Sequence, residues 1–322
     1  MQEMMTAVIA AEFALAEKLI DALEESALPL EHVDAVEIVP FGDEQGLRFH
    51  NRAVAQKTMD EIDWSEVHYL FFAGDISHAQ AVQAAAQSGC VVIDLLGVFA
   101  SLHDVPLVVP SVNDEQLSQL RNHNIVCLPD AQISQLAIAV APLMESAITR
   151  VFISSLLPAS YMGEEQVRTL AGQTAKLLNG IPLDDDEKRL AFDVAPFSAP
   201  HFSPARLVQQ FQKVLPGELD LVIHPVQSAV FYGLAQQISV LSDYPLALDA
   251  LIAQWRANTL VNVSEKSLVT PVSTGELAAQ LHISDIHEHD NGVTFFTACD
   301  EQRFSIARLG VELATLCYHS GY

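Results

Sequence analysis

Along the first 130 residues, short β-branched or aromatic runs are followed by stretches whose apolar positions recur at helical spacing. The run TAVIA predicts a strand over 6–10, and Phe13, Leu15, Ala16, Leu19, Ile20 and Leu23 then fall on one face of a helix over 12–25. Further strands are predicted over 35–39, 68–72 and 91–94, with a helix over 77–87. The stretch 68–94 is thus a complete βαβ unit, whose parallel strands need a right-handed helical crossover. A strand over 107–109, a helix from about Asp114 and a strand at Ile125 continue the alternation. This is the pattern of a doubly wound, Rossmann-like, mostly parallel α/β sheet.

The alternation ends on NIVCLPDAQISQLAIAVAPL, residues 124–143, an apolar strand that stops at a Pro-Asp turn and enters an amphipathic helix. Unpaired N–H groups and the helix dipole make such a junction the seat of a phosphate or a nucleophile in an α/β enzyme. The residue at its tip is Ala131, whose side chain has no lone pair, exchangeable proton or charge. Beyond it the pattern changes to a strand over 150–156, a helix over 164–178, a long loop over 181–204 and a helix over 204–215. Strands over 219–225, 227–232 and 236–241 follow, and Asp290-Asn291-Gly292 between ISDIHEH and VTFFTAC is a hairpin signal. Strands in succession with few helices predict an α+β domain with a mixed, largely antiparallel sheet. A last helix over 303–319 is expected to return to the first domain, giving domains at 1–130 and 131–302 and a closing helix at 303–322.

With half of its 322 residues hydrophobic, the chain can bury cores for two domains. A formal net charge of −25 with only 16 Lys plus Arg would repel nucleic acid or an anionic membrane, so neither is expected as a partner. The opening MQEMMTAVIAAEFALAEKLI lacks a basic segment and carries Glu12 and Glu17 among its apolar residues, and no run reaches the length of a membrane span; a cytoplasmic location is expected. Cys90, Cys127, Cys299 and Cys317 are far apart in apolar surroundings without metal-ligand spacing, as buried free thiols are.

In a dinucleotide-binding domain the first strand–helix turn is glycine-rich, so that the backbone can reach the pyrophosphate. Here it reads Ala10, Ala11, Glu12, Phe13, Ala14, Leu15, Ala16, with a carboxylate where phosphate would lie. Six segments nevertheless carry a resemblance: YLFFAGDISHAQAVQAAAQSGCVVID (69–94), DVPLVVPSVN (104–113), the turn and helix after Leu128, LAGQTAKLLNGIP (170–182), RLAFDVAP (189–196) and PVQSAVFYGLAQ (225–236). In this order they resemble the aspartate-semialdehyde dehydrogenase family, most closely its Usg subgroup of homologues, over nearly the full length. The resemblance implies a glyceraldehyde-phosphate-dehydrogenase-like C-terminal domain and, in active members, reductive dephosphorylation of an aspartyl phosphate. There a cysteine thiolate attacks the acyl phosphate, a histidine is acid and base, arginines hold phosphate and carboxylate, and NADPH delivers hydride.

Carried over position by position, the resemblance puts Ala131 at the nucleophile, Leu234 at the acid/base histidine and Gln227 at the substrate-binding arginine. Ala100 falls at the phosphate-binding arginine and Gln210 at the substrate-orienting glutamate, while a lysine is kept as Lys213. Ser160-Tyr161-Met162-Gly163 replaces an SGAG turn and would crowd a nicotinamide. No catalytic residue is therefore expected, and no cofactor, with the degenerate loop Ala10, Ala11, Glu12, Phe13, Ala14 and Ala16 at the nucleotide position. Losing a nucleophile with its base lowers turnover by on the order of a millionfold in protease triads. Cys127, four residues before Ala131, sits in the apolar IVCL strand and reads as a structural thiol.

Other constellations have plainer explanations. His282, Asp285, His287 and His289 could suggest a metal, but their place beside a hairpin fits a solvated edge, and no metal is expected. Asp184-Asp185-Asp186-Glu187 lacks the alternating ligands and glycine of a calcium loop and reads as an exposed acidic loop. Ser134, Ser154 and Ser155 have no adjacent His/Asp pattern, and His224 reads as a strand residue. Two functions remain: a catalytically inactive homologue acting as a dimeric binding or regulatory protein, or an active NADP-dependent oxidoreductase of amino-acid biosynthesis. A homodimer is expected, since apolar stretches such as VQSAVFYGLAQQISVL would be a liability if exposed, and a heterodimer with an active paralogue is the variant of that expectation.

Overall fold

The computed structural model describes residues 5–42, 46–200 and 202–322. Residues 1–4 of the N-terminal stretch and His201 in the predicted 181–204 loop lie outside the described residues. The chain divides into two units, one of residues 1–137, 213–215 and 305–322, the other of residues 138–212 and 216–304.

In the first unit, β1 (Met5–Ala11), β2 (Leu30–Glu37), β5 (Ala55–Lys57), β6 (Tyr69–Phe72), β7 (Val91–Asp94) and β8 (Ile125–Cys127) form one parallel sheet in the order β5-β2-β1-β6-β7-β8. The short β3 (Arg48–Phe49) and β4 (Arg52–Ala53) pair separately. Helix α1 (Phe13–Glu24) follows β1, α2 (Ala79–Gln87) crosses from β6 to β7, and α3 (Ala131–Val140) follows β8. Continuous apolar strands such as YLFF and VVID are buried throughout, as strands covered on both faces must be. The chain runs from β1 to one side and then to the other, so the order reverses between β1 and β6, where ligands bind in such sheets.

Three expectations need correction here. The strand predicted over 35–39 starts five residues earlier, at Leu30, and ends at Glu37. Its polar start conceals it: buried Asp34 is held by Lys57 Nζ at 2.6 Å and His32 Nε2 at 2.8 Å, partners that periodicity does not announce. Residues 107–109 form no strand but a single parallel bridge, Leu107 to Cys127, since Pro106 and Pro110 on either side offer no N–H to a ladder. The helix from Asp114 is a 3₁₀ turn over Asp114–Asn122.

The second unit is built on a seven-stranded mixed sheet of β9 (Ile148–Leu157), β10 (Ala195–Pro196), β11 (Asp220–Gln227), β12 (Leu234–Ser242), β13 (Val261–Val263), β14 (Leu281–His289) and β15 (Gly292–Cys299). Its order is β10-β11-β9-β12-β15-β14-β13, parallel at β11/β9 and β14/β13 and antiparallel elsewhere. Helices α4 (Glu164–Leu178), α5 (Pro204–Val214), α6 (Leu248–Ala257) and the short α7 (Pro271–Thr274) lie between the strands in sequence. Trp255 of α6 is fully buried, 5.0 Å edge-on from Phe295 of β15, with its indole N–H on Ala139 O at 2.9 Å. The 290–292 hairpin signal holds: β14 and β15 join through the two residues Asp290 and Asn291. The last helix begins two residues before its predicted start, as a π-helical stretch Glu301–Arg308 that continues into α8 (Leu309–His319).

The strand predicted over 227–232 is overturned. β11 runs through Gln227 and residues 228–233 leave the sheet, ending on Gly233 at φ +97°. A Cβ there would lie 2.4 Å from Pro271 O, so only glycine closes this turn.

Candidate functional site

In the first unit, the C-terminal ends of β1, β7 and β8 are where side chains able to grip a ligand would gather. After β1, Ala10 and Ala11 are fully buried and Glu12 is the N-cap of α1 with no capping hydrogen bond from its side chain, so a negative charge already belongs to the residue at the end where the dipole favours an anion. Phe13, the first helical residue, packs edge-on against Phe41 at 5.3 Å. After β7, the Asp94 carboxylate is completely buried and accepts from Phe99 N at 2.8 Å, Leu96 N at 3.3 Å and the Cys127 thiol at 3.0 Å. Burial pushes the Asp94 carboxyl up, against the hydrogen bonds that favour its charge. It also pushes the Cys127 thiol well above its ordinary value, with Asp94 adding to the effect. A thiol so placed is protonated and shielded, the opposite of an activated nucleophile.

After β8, Asp130 caps α3: its Oδ1 accepts from Gln132 N at 2.9 Å, and its carbonyl accepts from Ile133 N and Ser134 N. Ala131 is therefore the first helical residue, half-buried. Ser134 is buried and donates to Pro129 O at 3.3 Å. The loop after Asp94 carries Ala100, 5% exposed, and its backbone is held by Lys213. The Lys213 ammonium donates to three carbonyls, Ala100 O at 3.2 Å, Leu102 O at 3.0 Å and Val105 O at 2.7 Å. An ammonium has three hydrogens, so these contacts occupy all of them. Burial lowers its pKa.

In the second unit, the turn 228–233 is tied at nearly every residue. Ser228 N and Oγ donate to Leu157 O, Ala159 N donates to Val230 O at 2.8 Å, Ser160 N donates to Phe231 O at 3.0 Å, and Tyr232 OH donates to Glu164 Oε1 at 3.1 Å. Glu301, buried at the start of the π-helical stretch, accepts from Gly233 N at 2.9 Å and from Ser160 Oγ. Burial raises its carboxyl to about 7 although both donors favour the charged form. Gln227, before this turn, accepts from Lys188 Nζ at 3.1 Å, and Leu234, after it, is fully buried opposite Cys299. Gln210 is buried on α5. In the 160–163 segment Met162 is exposed, Gly163 has φ +98° and Tyr161 packs edge-on against Phe197 at 5.5 Å.

The remaining singled-out residues are dispersed. His282 is buried, with Nε2 3.2 Å from Ala278 O, whereas His287 pairs with Asp285 at 2.9 Å and His289 meets Thr294 Oγ1 at 3.2 Å. A bulge with Asp285 at φ +51° separates His282 from the other two. His224 and Ser154 are register partners across β11 and β9, and Ser155 points to the other face, where it accepts from Gln236 Nε2. In the acidic loop Glu187 pairs with Lys176 at 3.2 Å. All four cysteines are buried thiols outside any disulfide. Asp94 and Glu301 were not expected; their only sequence signals are a carboxylate ending the apolar run CVVID and the acidic pair after VTFFTAC.

The family model described as "Semialdehyde dehydrogenase, NAD binding domain" matches residues 7–120. The chain is 47% identical over 320 residues to a USG-1 protein homolog of Haemophilus influenzae, covering 98% of both chains. It is 31% identical over 259 residues to an aspartate-semialdehyde dehydrogenase of Vibrio mimicus, covering 76% of this chain and 81% of that one. Its fold is similar to the crystal structure of aspartate semialdehyde dehydrogenase II from Vibrio cholerae, with a TM-score of 0.92, 25% identity and complete coverage of both chains.

Proposed function

Because the chain belongs to the aspartate-semialdehyde dehydrogenase family, we propose that it is a catalytically inactive member that acts as a dimeric binding or regulatory protein. The observation that carries this reading is Lys213: the one cation kept among the family's site positions is engaged by three backbone carbonyls of its own unit, with no hydrogen left for a phosphate. Ala131 in place of a nucleophile, Leu234 in place of an acid/base and Gln227 and Ala100 in place of arginines support it. The dimer is supported by how apolar groups are presented. Gln173 Oε1 accepts from Leu190 N at 2.7 Å and Ala191 N at 3.1 Å, fixing the loop that then holds Phe192 (59% exposed) and Val194 (66% exposed) outward. A chain that anchors a loop so firmly in order to expose two large apolar side chains has the construction of an interface.

The test is an assay of the purified chain with aspartate semialdehyde, phosphate and NADP, beside sedimentation at micromolar concentration. Turnover at background and a dimer are expected; turnover well above contaminant level overturns inactivity, and a monomer overturns the dimer. Co-sedimentation with an active paralogue, by a chain that is monomeric alone, would replace the homodimer with a heterodimer. A second reading, an active NADP-dependent oxidoreductase of amino-acid biosynthesis, draws on the match of residues 7–120 to a nucleotide-binding family model. It requires nucleotide binding past Glu12 and the Phe13–Phe41 pair.

A further inference from the structure

A concavity of about 240 Å³ lies wholly within the second unit, between α6, the 264–268 segment and the bulge of β14. It is smaller than the roughly 300–1,000 Å³ of pockets for drug-sized ligands, which suits a small metabolite. Its floor is apolar: Leu248 and Ile252 from α6 and Ile286 from β14 are each only half-buried, and Leu268 stands 70% exposed at the rim. The chain's own side chains thus leave these four apolar groups partly uncovered.

The polar groups around that floor are of both signs. Glu265 is already paired with Arg256 at 2.5 Å, and Ser264 Oγ donates to Ser267 O at 2.7 Å, so these groups frame the site. Two groups remain able to take a ligand. No described residue accepts a hydrogen bond from the Lys266 ammonium or pairs with it. Asp285 accepts from His287 Nε2 on Oδ1 and keeps Oδ2 without a partner among the described residues. A simple anion would meet Lys266 but be opposed by Asp285, Glu265 and a net charge of −25, and a simple cation would be opposed by Lys266. A molecule carrying both charges beside an apolar tail satisfies all three features.

We propose that this concavity binds a small aliphatic α-amino acid, its carboxylate on Lys266, its ammonium on Asp285 and its side chain on Leu248, Ile252, Leu268 and Ile286. The site shares no residue with the family's site positions, so it stands or falls independently of the inactivity and the dimer proposed above.

The test is a titration of the full chain with L-leucine, followed by methyl NMR and calorimetry. Saturable shifts confined to the methyls of those four residues are expected. Lys266→Met and Asp285→Asn should each weaken binding by roughly tenfold or more, the loss of one charge-assisted contact. Lys266 is exposed and asparagine tolerates the left-handed backbone of Asp285, so both variants should unfold at the wild-type temperature. 4-Methylpentanoate and 3-methylbutylamine, each lacking one charge, should bind as poorly as the variants. Absence of saturable shifts at millimolar L-leucine, equal binding of 4-methylpentanoate, or unchanged binding in both variants would overturn the proposal.

Discussion

Lys213 and Glu301 have opposite relations to their surroundings. Removing the Lys213 ammonium as Lys213→Met leaves three carbonyls of the 100–105 loop without their donor. An unmet buried polar group costs about 1–3 kcal/mol; with Lys213 part-exposed, a total loss of about 2–3 kcal/mol is expected by urea denaturation. A change under half a kilocalorie would show that water replaces the lysine freely. Glu301 is a carboxyl whose pKa rises on folding, from 4.5 to about 7. Between those values the unfolded chain has lost its proton and the folded chain keeps it, so its contribution is full below pH 4.5, declines as pH rises and is gone above about 7. The shift corresponds to on the order of 3 kcal/mol. Glu301→Gln should remove this part of the pH dependence, which thermal unfolding between pH 5 and 8 in both proteins reads directly. Ala131→Cys should leave turnover at background, since Leu234 still stands at the acid/base position and Gln227 and Ala100 at the two arginine positions. At this scale the sequence was informative about what is missing and silent about what replaces it. An alanine announces the lack of a nucleophile, but a lysine three residues after Gln210 looks the same whether it faces a phosphate or three carbonyls.

At the scale of elements, periodicity was enough wherever a segment's partners lie within its own pattern. The βαβ unit over 68–94, α4 and the β14–β15 hairpin were legible for that reason. It failed where a distant contact decides. The start of β2 depends on Lys57 reaching Asp34, and the turn 228–233 depends on Glu301, far along the chain, receiving Gly233 N. Apolar VFY within that turn carries the composition of a strand, while its carbonyls accept from Ala159 N and Ser160 N and the Tyr232 hydroxyl donates to Glu164 instead of a ladder forming. Gly233→Ala tests the closure: with φ +97° and Pro271 O 2.4 Å from the new Cβ, a loss of about 2 kcal/mol or more is expected in denaturant unfolding. The anchored loop after Gln173 makes a separable prediction. Phe192→Ser combined with Val194→Ser should shift the sedimentation equilibrium toward monomer while leaving the far-ultraviolet spectrum unchanged, because both side chains are exposed in the single chain.

For the molecule as a whole, a chain with net charge −25 repels itself, so its melting temperature should rise with added sodium chloride before any specific ion effect. Millimolar NADP or NADPH should leave the melting temperature unchanged if the first turn has lost its grip, since a ligand that binds only the folded state raises it by mass action. A clear rise would favour the oxidoreductase reading. The division into a parallel and a mixed sheet was legible from the order of patterns, because a sheet's type follows from whether helices or turns separate its strands. The mixed sheet also has a property that no single segment displays. Its outermost strands are β10, of two residues including Pro196, and β13, of three. Among the described residues they pair only with Val226 and Gln227 of β11 and with Leu281, His282 and Ile283 of β14, so the rest of those two longer strands is paired on one side alone. Lateral growth from one folded copy to the next would find its backbone there. Any edge-to-edge association of folded copies in concentrated solution should therefore protect amides of Asp220–His224 or Asp285–His289 from hydrogen exchange, and no concentration-dependent protection there would show that the open edges stay apart.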